Sequence, residues 1–184
     1  MATKRWIVLI GLRGSGKSTV GELLSERLKW GFVDLDDRTL DLLREEHGVE
    51  SIADAFEQLG EPMFRDAEYR ALHGLLVHLD EDPRVVALGG GTPMAPGAAE
   101  LLRETADRAS LVYLRLKPEV LARRLRGQID DRRPALVEGS DPISEIDQIH
   151  AQRDPLYHAL AALTIEEDGA AAEVVERICE ELSV

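Results

Sequence analysis

A glycine-rich loop near the start of the chain constrains the fold more than any other feature. Residues 11–19 fit the pattern of a glycine, four further residues and then Gly-Lys-Ser. The apolar run 6–10 precedes this loop, and apolar residues at helical spacing follow it. A phosphate-binding loop of this kind works where a strand ends and a helix begins, because backbone N–H groups converge on the anion there. We therefore expect a nucleotide phosphate to bind directly after the first strand.

The side chains of the loop indicate how the nucleotide would be held. Glycine lets the backbone approach a phosphate closely, in conformations that a side chain would forbid. The ammonium group of Lys17 can reach the outer phosphates, and the hydroxyl of Ser18 can bind Mg²⁺. The residues expected to contact the nucleotide are Gly14, Ser15, Gly16, Lys17, Ser18 and Thr19.

Strand and helix signals alternate along the rest of the chain. Apolar, β-branched runs are separated by stretches of helical spacing, which is typical of repeated βα units and of a parallel sheet covered on both faces. The fold class is therefore predicted to be α/β. The expected strands are 6–10, 32–35, 84–88, 110–116 and 161–166. The expected helices are 17–29, 36–46, 170–182 and three that begin at Pro62, Pro96 and Pro118.

Length and charge limit the possible classes of function. With 184 residues the chain is long enough for one sizeable core, so residues 1–184 are expected to form a single domain. The formal net charge of −13 argues against a nucleic-acid or acidic-membrane partner, since such partners need clustered positive charge. The single cysteine, Cys179, excludes an intrachain disulfide, and no apolar run reaches the ~20 residues of a membrane span. We expect a cytoplasmic protein.

The carboxylate that completes the Mg²⁺ site of a phosphate loop commonly lies at the end of a second apolar strand, and here it is not found there. The run 84–88 ends in glycine and not in aspartate, so the acid is sought after residues 32–33. Asp34 and Asp36 follow there, and strand alternation would point both at the carboxyl edge of the sheet, where ligands bind. One would then serve the metal and the other the hydroxyl of an acceptor. Alternatively, Asp36 or Asp37 caps the N-terminus of a helix.

Two further segments have compositions that packing alone does not explain. The consecutive residues Gly89, Gly90 and Gly91 follow a buried run, so we expect their backbone N–H groups to line the acceptor site. A tight turn would explain one glycine but hardly three. Residues 126–141 are polar, charged and bounded by glycine, and they fit neither helix nor strand. A loop of this length is either functional or a solvated surface insertion.

Taken together, these motifs resemble those of the shikimate kinases. The similarity spans residues 6 to about 166, and the motifs occur in the same order as in the family. The phosphate loop, the Asp34-x-Asp36 pair and the triple glycine are three of them. The other matching segments are Ser51-Ile52-Ala53-Asp54-Ala55-Phe56, Gly60-Glu61-Pro62-Met63-Phe64-Arg65, Arg133-Pro134-Ala135-Leu136 and Arg153-Asp154-Pro155-Leu156-Tyr157. Their combination is more specific than the phosphate loop, which many families share.

The resemblance implies roles for the residues of an acceptor site. Arg65 and Arg153 match the arginines that bind the carboxylate of shikimate, a task that suits the fork-shaped guanidinium group. Asp36 matches the aspartate that binds the ring hydroxyls, including the one that is phosphorylated, and Asp34 matches the aspartate that holds Mg²⁺ through water. The acceptor site implied in this way consists of Asp36, Arg65, Gly89, Gly90, Gly91 and Arg153.

The resemblance also implies a lid over the nucleotide. Arg133 matches the lid arginine, whose charge stabilises the transferring phosphoryl group. Arg132 is an alternative, because Ala135 stands where leucine is common in the motif. Arg124 matches a residue that packs on adenine, and a surface arginine is the alternative interpretation. The short acidic segment 166–169 lies where the family has its adenine loop.

The resemblance thus predicts a kinase that transfers phosphate from ATP to the 3-hydroxyl of shikimate, giving shikimate 3-phosphate and ADP for chorismate biosynthesis. It implies Lys17, Asp36 and Arg133 as catalytic residues, Mg²⁺ as the metal, and a three-layer α/β/α core of the nucleoside-monophosphate-kinase type. We expect a monomer with an acceptor-binding insert near 36–70 and a lid near 126–141. The alternatives are another small kinase, for gluconate or a nucleoside monophosphate, and a nucleotide-dependent switch without metabolic transfer.

Overall fold

The computed structural model describes residues 5–78, 82–127 and 145–184 of the chain. Within these ranges five strands alternate with seven α-helices and one short 3₁₀-helix. The strands are β1 (Trp6–Ile10), β2 (Gly31–Asp34), β3 (Arg84–Ala87), β4 (Ala109–Leu114) and β5 (Leu163–Ile165). The α-helices are α1 (Lys17–Leu28), α2 (Leu35–His47), α3 (Ile52–Leu76), α4 (Ala98–Glu104), α5 (Pro118–Gly127), α6 (Ile146–Leu160) and α7 (Ala171–Leu182), and the 3₁₀-helix is Thr92–Met94. The predicted α/β class is confirmed.

The five strands form one parallel sheet in the order β2-β3-β1-β4-β5. β1 lies at the centre, where Val8 is aligned with Val86 of β3 and with Leu111 of β4. Every residue of β1 and β4 is buried, as expected of strands that helices cover on both faces. The chain builds β2 and β3 on one side of β1 and then β4 and β5 on the other. Ligands of such sheets bind beyond the carboxyl ends of the strands at this reversal.

Two separate apolar clusters cover the faces of the sheet. On one face, Leu72 of α3, Leu102 of α4 and Tyr157 of α6 pack with every second residue of β1. On the other face, Leu24 of α1 and Ile178 of α7 pack with the residues of β1 in between. The period of two along a strand thus sends neighbouring side chains into opposite layers. The predicted three-layer α/β/α arrangement is confirmed.

A third apolar cluster packs α2 against the first half of α3. Its buried members are Leu43, Val49, Ala55, Phe64 and Ala67. α3 bends here, because Gly60 has φ 78° and ψ 165°, far from helical values, and Pro62 cannot donate a backbone hydrogen bond. The predicted insert 36–70 corresponds largely to this pair of helices, and its role in binding the acceptor stays a prediction.

The predicted strands agree with the structure to within about two residues, whereas two helical segments are absent from the prediction. β2 begins and ends one residue earlier than the run 32–35. The helix expected to begin at Pro62 continues backwards across the bend at Gly60 to Ile52. α6 escapes prediction because Pro155, which lacks an N–H donor, lies inside it.

Most of the predicted lid lies outside the part of the chain that the structure describes. Of residues 126–141, only 126 and 127 are described, and they end α5. The organisation into a single domain with a lid therefore stays a prediction. Among the helices that are described, none is both long and apolar enough to cross a bilayer.

Two helical glycines with opposite surroundings allow a test of the packing. A Cβ atom on Gly21 of α1 would lie 2.5 Å from Cε2 of Phe32, whereas a Cβ on Gly74 of α3 would have no atom within 4 Å. We expect Gly74→Ala to raise the free energy of unfolding by about 0.5–1 kcal/mol, because alanine favours helix. Gly21→Ala should lower it by about 1–3 kcal/mol, because the site is overpacked. Urea unfolding measures both values, and equal stabilisation by the two variants would contradict the described packing of α1 on β2.

Candidate active site

The main cavity of the structure lies at the carboxyl edge of the sheet and has a volume of about 1170 Å³. The loop after β1, the start of α2, the end of α5 and the segment after β5 contribute to its walls. Its polar lining includes Arg13, Lys17, Ser18, Asp34, Asp36 and Arg124. The described residues among those predicted to bind the nucleotide and the metal therefore surround one space.

The loop between β1 and α1 has the geometry of a phosphate-binding site. Gly14 and Gly16 have φ values of 82° and 95°, which favour glycine, and Gly16 begins α1 without any side-chain cap. The Nζ atom of the buried Lys17 donates to the carbonyl oxygens of Gly11 at 2.9 Å and Leu12 at 3.1 Å. This ammonium group is therefore held across the loop, where its charge would attract phosphate.

One side chain in this loop has an unsatisfied hydrogen-bonding group. Ser15 is 5% exposed, and its Oγ has no hydrogen-bond partner among the described residues. Buried hydroxyl groups are normally paired, so an oxygen of a bound ligand is the expected partner. The residues present at the loop therefore fit a nucleotide phosphate.

The two residues predicted to hold the metal lie in direct contact. Ser18 Oγ donates to Asp34 Oδ2 at 2.6 Å, and the backbone N–H of Asp36 donates to Asp34 Oδ1 at 3.0 Å. Among the described residues no group of three or more His, Cys, Asp or Glu could hold a metal ion. An oxygen-only pair beside a phosphate site is nevertheless the type of environment that suits Mg²⁺, which keeps several waters and few protein ligands.

The predicted geometry of Asp34 and Asp36 is wrong in one respect. β2 ends at Asp34, and Asp36 lies in the first turn of α2, so strand alternation does not bring the two carboxylates together. Asp34 itself caps α2, a role that the sequence assigned to Asp36 or Asp37 as an alternative. Both acids nevertheless line the main cavity, because the helix begins at its edge.

The triple glycine is required because other parts of the site pack directly against it. A Cβ atom would lie 2.5 Å from Asp36 Oδ1 at Gly89, 2.9 Å from the backbone N of Arg13 at Gly90, and 2.6 Å from Arg65 Nη1 at Gly91. A side chain at these positions would displace Asp36, Arg65 or the phosphate loop at Arg13. The role of their N–H groups in binding the acceptor stays a prediction. The carbonyl oxygen of Gly90 already accepts hydrogen bonds from Arg153 and Tyr157.

Arg65 is fixed by a buried carboxylate that the sequence analysis did not identify. Its Nη1 donates to Glu68 Oε2 at 2.5 Å and its Nη2 to Glu61 Oε1 at 3.0 Å, with Phe56 and Phe64 beside the guanidinium. Glu68 is 1% exposed. The spacing of three residues from Arg65, on one face of a helix, is the signal that could have revealed it.

The electrostatics of this pair follow from its burial. Burial raises the pKa of Glu68, although the charge of Arg65 and the hydrogen bond from Thr92 oppose this effect. Burial alone would lower the pKa of Arg65, but the carboxylates of Glu68 and Glu61 outweigh it and raise this pKa. Arg65 is therefore a permanent cation held at a fixed position.

Arg153 reaches the same turn from the other side. Its Nη1 and the hydroxyl of Tyr157 both donate to the carbonyl oxygen of Gly90, each at 2.8 Å. Burial raises the pKa of Tyr157 to about 12, so its hydroxyl remains a donor at neutral pH. Gly90 lines the main cavity, whereas Arg65 and Arg153 are not part of its lining.

Arg124 connects the phosphate loop with the acidic segment 166–169. Its Nη1 donates to the carbonyl of Ser15 at 3.3 Å, and its Nη2 pairs with Asp168 at 2.8 Å. Arg123 also pairs with Asp168. Arg124 thus lines the main cavity, and its contact with adenine stays a prediction, whereas Arg133 and Arg132 lie outside the described residues.

A further carboxylate attaches α6 to the sheet. Asp154 accepts from Tyr113 at 2.9 Å and from two nitrogens of Arg115 at 2.7 and 2.9 Å, and Arg115 also pairs with Glu166. These hydrogen bonds, chiefly those of Arg115, hold the pKa of Asp154 below its ordinary value. Because Asp154 follows Arg153, the network also sets the position of that arginine.

We expect Asp154→Asn to lower the free energy of unfolding at pH 7 by about 1.5–3 kcal/mol, the range for charged hydrogen bonds. A lowered carboxyl pKa stabilises the folded state above the unfolded pKa, and this contribution disappears as the pH falls through the folded value. The difference between wild type and variant should therefore shrink below about pH 4 in urea unfolding. Asp66→Asn, which alters a more exposed pair with Arg70, is the control and should cost less than about 1 kcal/mol. A difference that stays constant down to pH 2 would contradict this role.

A family model and two relatives that match this chain carry the same description. The family model described as shikimate kinase matches residues 13–183. The shikimate kinase of Paracidovorax citrulli is 38% identical over 180 residues, which cover 97% of this chain and 92% of the relative. The shikimate kinase of Symbiobacterium thermophilum is 38% identical over 179 residues, with 95% and 96% covered.

Solved structures agree with the sequence relatives. The shikimate kinase of Acinetobacter baumannii, in complex with shikimate, superposes with a TM-score of 0.83 at 32% identity, over 98% of this chain and 94% of that one. A gluconokinase from Sinorhizobium meliloti reaches a TM-score of 0.61 at 20% identity, over 100% and 94% of the two chains. The latter similarity extends to the fold alone.

Proposed function

The chain belongs to the shikimate kinase family, and from this premise we propose which of its residues carry out the ATP-dependent phosphorylation of shikimate at its 3-hydroxyl. The enzyme is a phosphotransferase with an alcohol group as acceptor, and ATP is its co-substrate. Phosphoryl transfer requires little covalent chemistry from the protein, so positioning and charge stabilisation are the tasks to be assigned.

The phosphate loop binds ATP. Lys17 places its charge at the outer phosphates, and the unpartnered hydroxyl of Ser15 donates to a phosphate oxygen. Gly14, Gly16 and Thr19 belong to the same turn and helix start. Arg124, fixed by Asp168, supports the loop at Ser15 and forms a wall of the nucleotide site.

Ser18 and Asp34 hold Mg²⁺, and their contact at 2.6 Å supports this assignment. When bound, Mg²⁺ neutralises charge on the β- and γ-phosphates. Asp34 additionally orients α2, because it accepts from the N–H of Asp36. The same residue therefore connects the metal site with the acceptor site.

The observation that carries the acceptor assignment is the convergence of Asp36, Arg65 and Arg153 on the glycine turn beside the phosphate loop. Two guanidinium groups provide charge-assisted recognition of one carboxylate. Asp36 orients the attacking hydroxyl and accepts its proton. Because Gly89, Gly90 and Gly91 have no side chains, the substrate can approach their backbone closely, as the side chains of Asp36 and Arg65 already do.

Three further assignments are proposed without a supporting contact among the described residues. We assign the stabilising lid charge to Arg133, within the lid 126–141, and we expect the enzyme to act as a monomer in the cytoplasm. The net charge of −13 supports the view that it has no nucleic-acid partner.

A substrate panel tests the function and Arg153→Ala tests the site. With ATP present and shikimate, gluconate or AMP offered in turn as the acceptor, ADP should form only with shikimate, and turnover with gluconate instead would favour the alternative kinase.

In Arg153→Ala, the KM for shikimate should rise about 10–100-fold, since a lost charged hydrogen bond costs about 1.5–3 kcal/mol. The KM for ATP should stay within about twofold, and Arg177→Ala on the outer face of α7 is the control. An equal loss for both substrates would contradict the assignment of Arg153.

The metal assignment is tested by Asp34→Asn. Asparagine caps a helix as well as aspartate does, so this variant removes the charge while α2 keeps its N-cap. We expect the Mg²⁺ concentration for half-maximal activity to rise about tenfold, because a carboxylate binds Mg²⁺ better than an amide. Asp41→Asn, on the exposed side of α2, should leave the Mg²⁺ titration unchanged. Identical titrations of wild type and Asp34→Asn would remove Asp34 from the metal site.

A further inference from the structure

A second cavity, of about 460 Å³, lies between α2, the end of α3 and the first residues of β1 and β3. Its volume falls in the range of small-molecule sites. It shares no lining residue with the active-site cavity. Trp6 and Arg84 begin their parallel strands, so this part of the cavity lies at the edge of the sheet opposite the phosphate loop.

The described lining of this cavity is basic, although the chain as a whole carries a net charge of −13. Its ionisable residues are Arg38, Arg70, His78 and Arg84, and none is acidic. Arg70 is compensated, because it pairs with Glu46 at 2.6 and 2.8 Å and with Asp66 at 2.8 Å. Arg38 and Arg84 form no ion pair and no side-chain hydrogen bond with any described residue. The excess of positive charge favours an oxyanion.

The same cavity has an aromatic and aliphatic wall. Trp6 is 1% exposed, and its Nε1–H has no acceptor among the described residues. The guanidinium carbon of Arg84 lies 5.8 Å from the indole centroid. Leu42, Ala71 and Leu75 complete the apolar surface. A ligand oxygen would satisfy the buried N–H, and an apolar ring would pack on the remaining wall.

Gly74 keeps space open in front of this wall. It lies within α3, and no atom lies within 4 Å of the position that its Cβ would occupy. Its backbone is helical, so neither an unusual φ nor a close neighbour requires glycine, which is a poor helix former. A larger side chain at Gly74 would extend into the cavity.

We propose that this cavity binds a small organic oxyanion, a carboxylate or a phosphate ester with a ring-sized apolar body. Arg38 and Arg84 pair with the charged group, and the body packs against Leu42, Ala71 and Leu75. α2 contributes Arg38 to this cavity and Asp36 to the active site, so the ligand contacts a helix that also shapes acceptor binding.

Trp6 itself provides the measurement. The chain has two tryptophans, so Trp30→Phe leaves Trp6 as the only indole emitter. This variant is titrated with benzoate, phenyl phosphate and inorganic phosphate, in the presence of saturating shikimate and ADP so that the active site is filled. We expect a saturable change in Trp6 emission with benzoate or phenyl phosphate at concentrations up to about 10 mM, and binding of inorganic phosphate at least about tenfold weaker. The better of the two organic probes identifies the preferred charged group.

Substitutions in the same background locate the site. Arg38→Ala should weaken binding about tenfold, because it removes one charge-assisted contact. Gly74→Leu should abolish binding by filling the cavity, and its retained kinase activity verifies that it folds. Arg103→Ala, on α4 and outside both cavities, should change the affinity by less than about twofold. Absence of a saturable signal with both organic probes, or unchanged affinity in Arg38→Ala and Gly74→Leu, would overturn the proposal. Inorganic phosphate binding as tightly as phenyl phosphate would overturn the apolar part of it.

Discussion

Close approach at the turn after β3 is the constraint on which the rest of the active site depends. At Gly89, Gly90 and Gly91 a single added carbon would collide with Asp36, with the backbone at Arg13 and with Arg65. These three neighbours come from α2, the phosphate loop and α3, so the turn is where the elements that we assign to the metal, the nucleotide and the acceptor meet. A larger residue would therefore disturb several functions at once, although no glycine of the three has a left-handed φ. The requirement is for space and not for backbone freedom.

Acidic side chains and backbone carbonyls hold in place three of the cations that we assign to the two substrates. Glu61 and Glu68 orient Arg65, Asp168 orients Arg124, and backbone carbonyls orient Lys17. Side chains that are already ordered lose little conformational entropy when a ligand binds. The carboxylates thus reduce the flexibility of the cations that they pair with.

Sequence patterns identified the parts of this protein that depend on short-range chemistry. The phosphate loop, the buried strands and the Asp34–Asp36 pair were recognisable because spacing and residue type suffice to indicate them. Long-range contacts were not recognisable: Tyr157 reaches the site only through the tertiary packing of α6, and Pro155 concealed this helix. Glu68 was missed although it lies only three residues from Arg65 on the same helix. Asp36 was expected to continue the strand that contains Asp34, but it lies in the first turn of α2. Over so few residues the sequence does not distinguish a helix that begins directly after Asp34 from a strand that continues.

The position of Arg153 illustrates how the site is fixed from outside. Arg153 and Tyr157 lie one helical turn apart and donate to the same carbonyl of Gly90, so α6 is attached to the glycine turn at two points. Asp154, on another side of the helix, binds Tyr113 in β4 and Arg115 just beyond it. Arg115 continues to Glu166, in the segment whose Asp168 holds Arg124 beside the phosphate loop. The arginine that we assign to the acceptor and the arginine that we assign to the nucleotide are therefore both anchored to the ends of β4 and β5. A displacement of either strand end would alter the separation of the two substrates, which in-line phosphoryl transfer requires to be well defined.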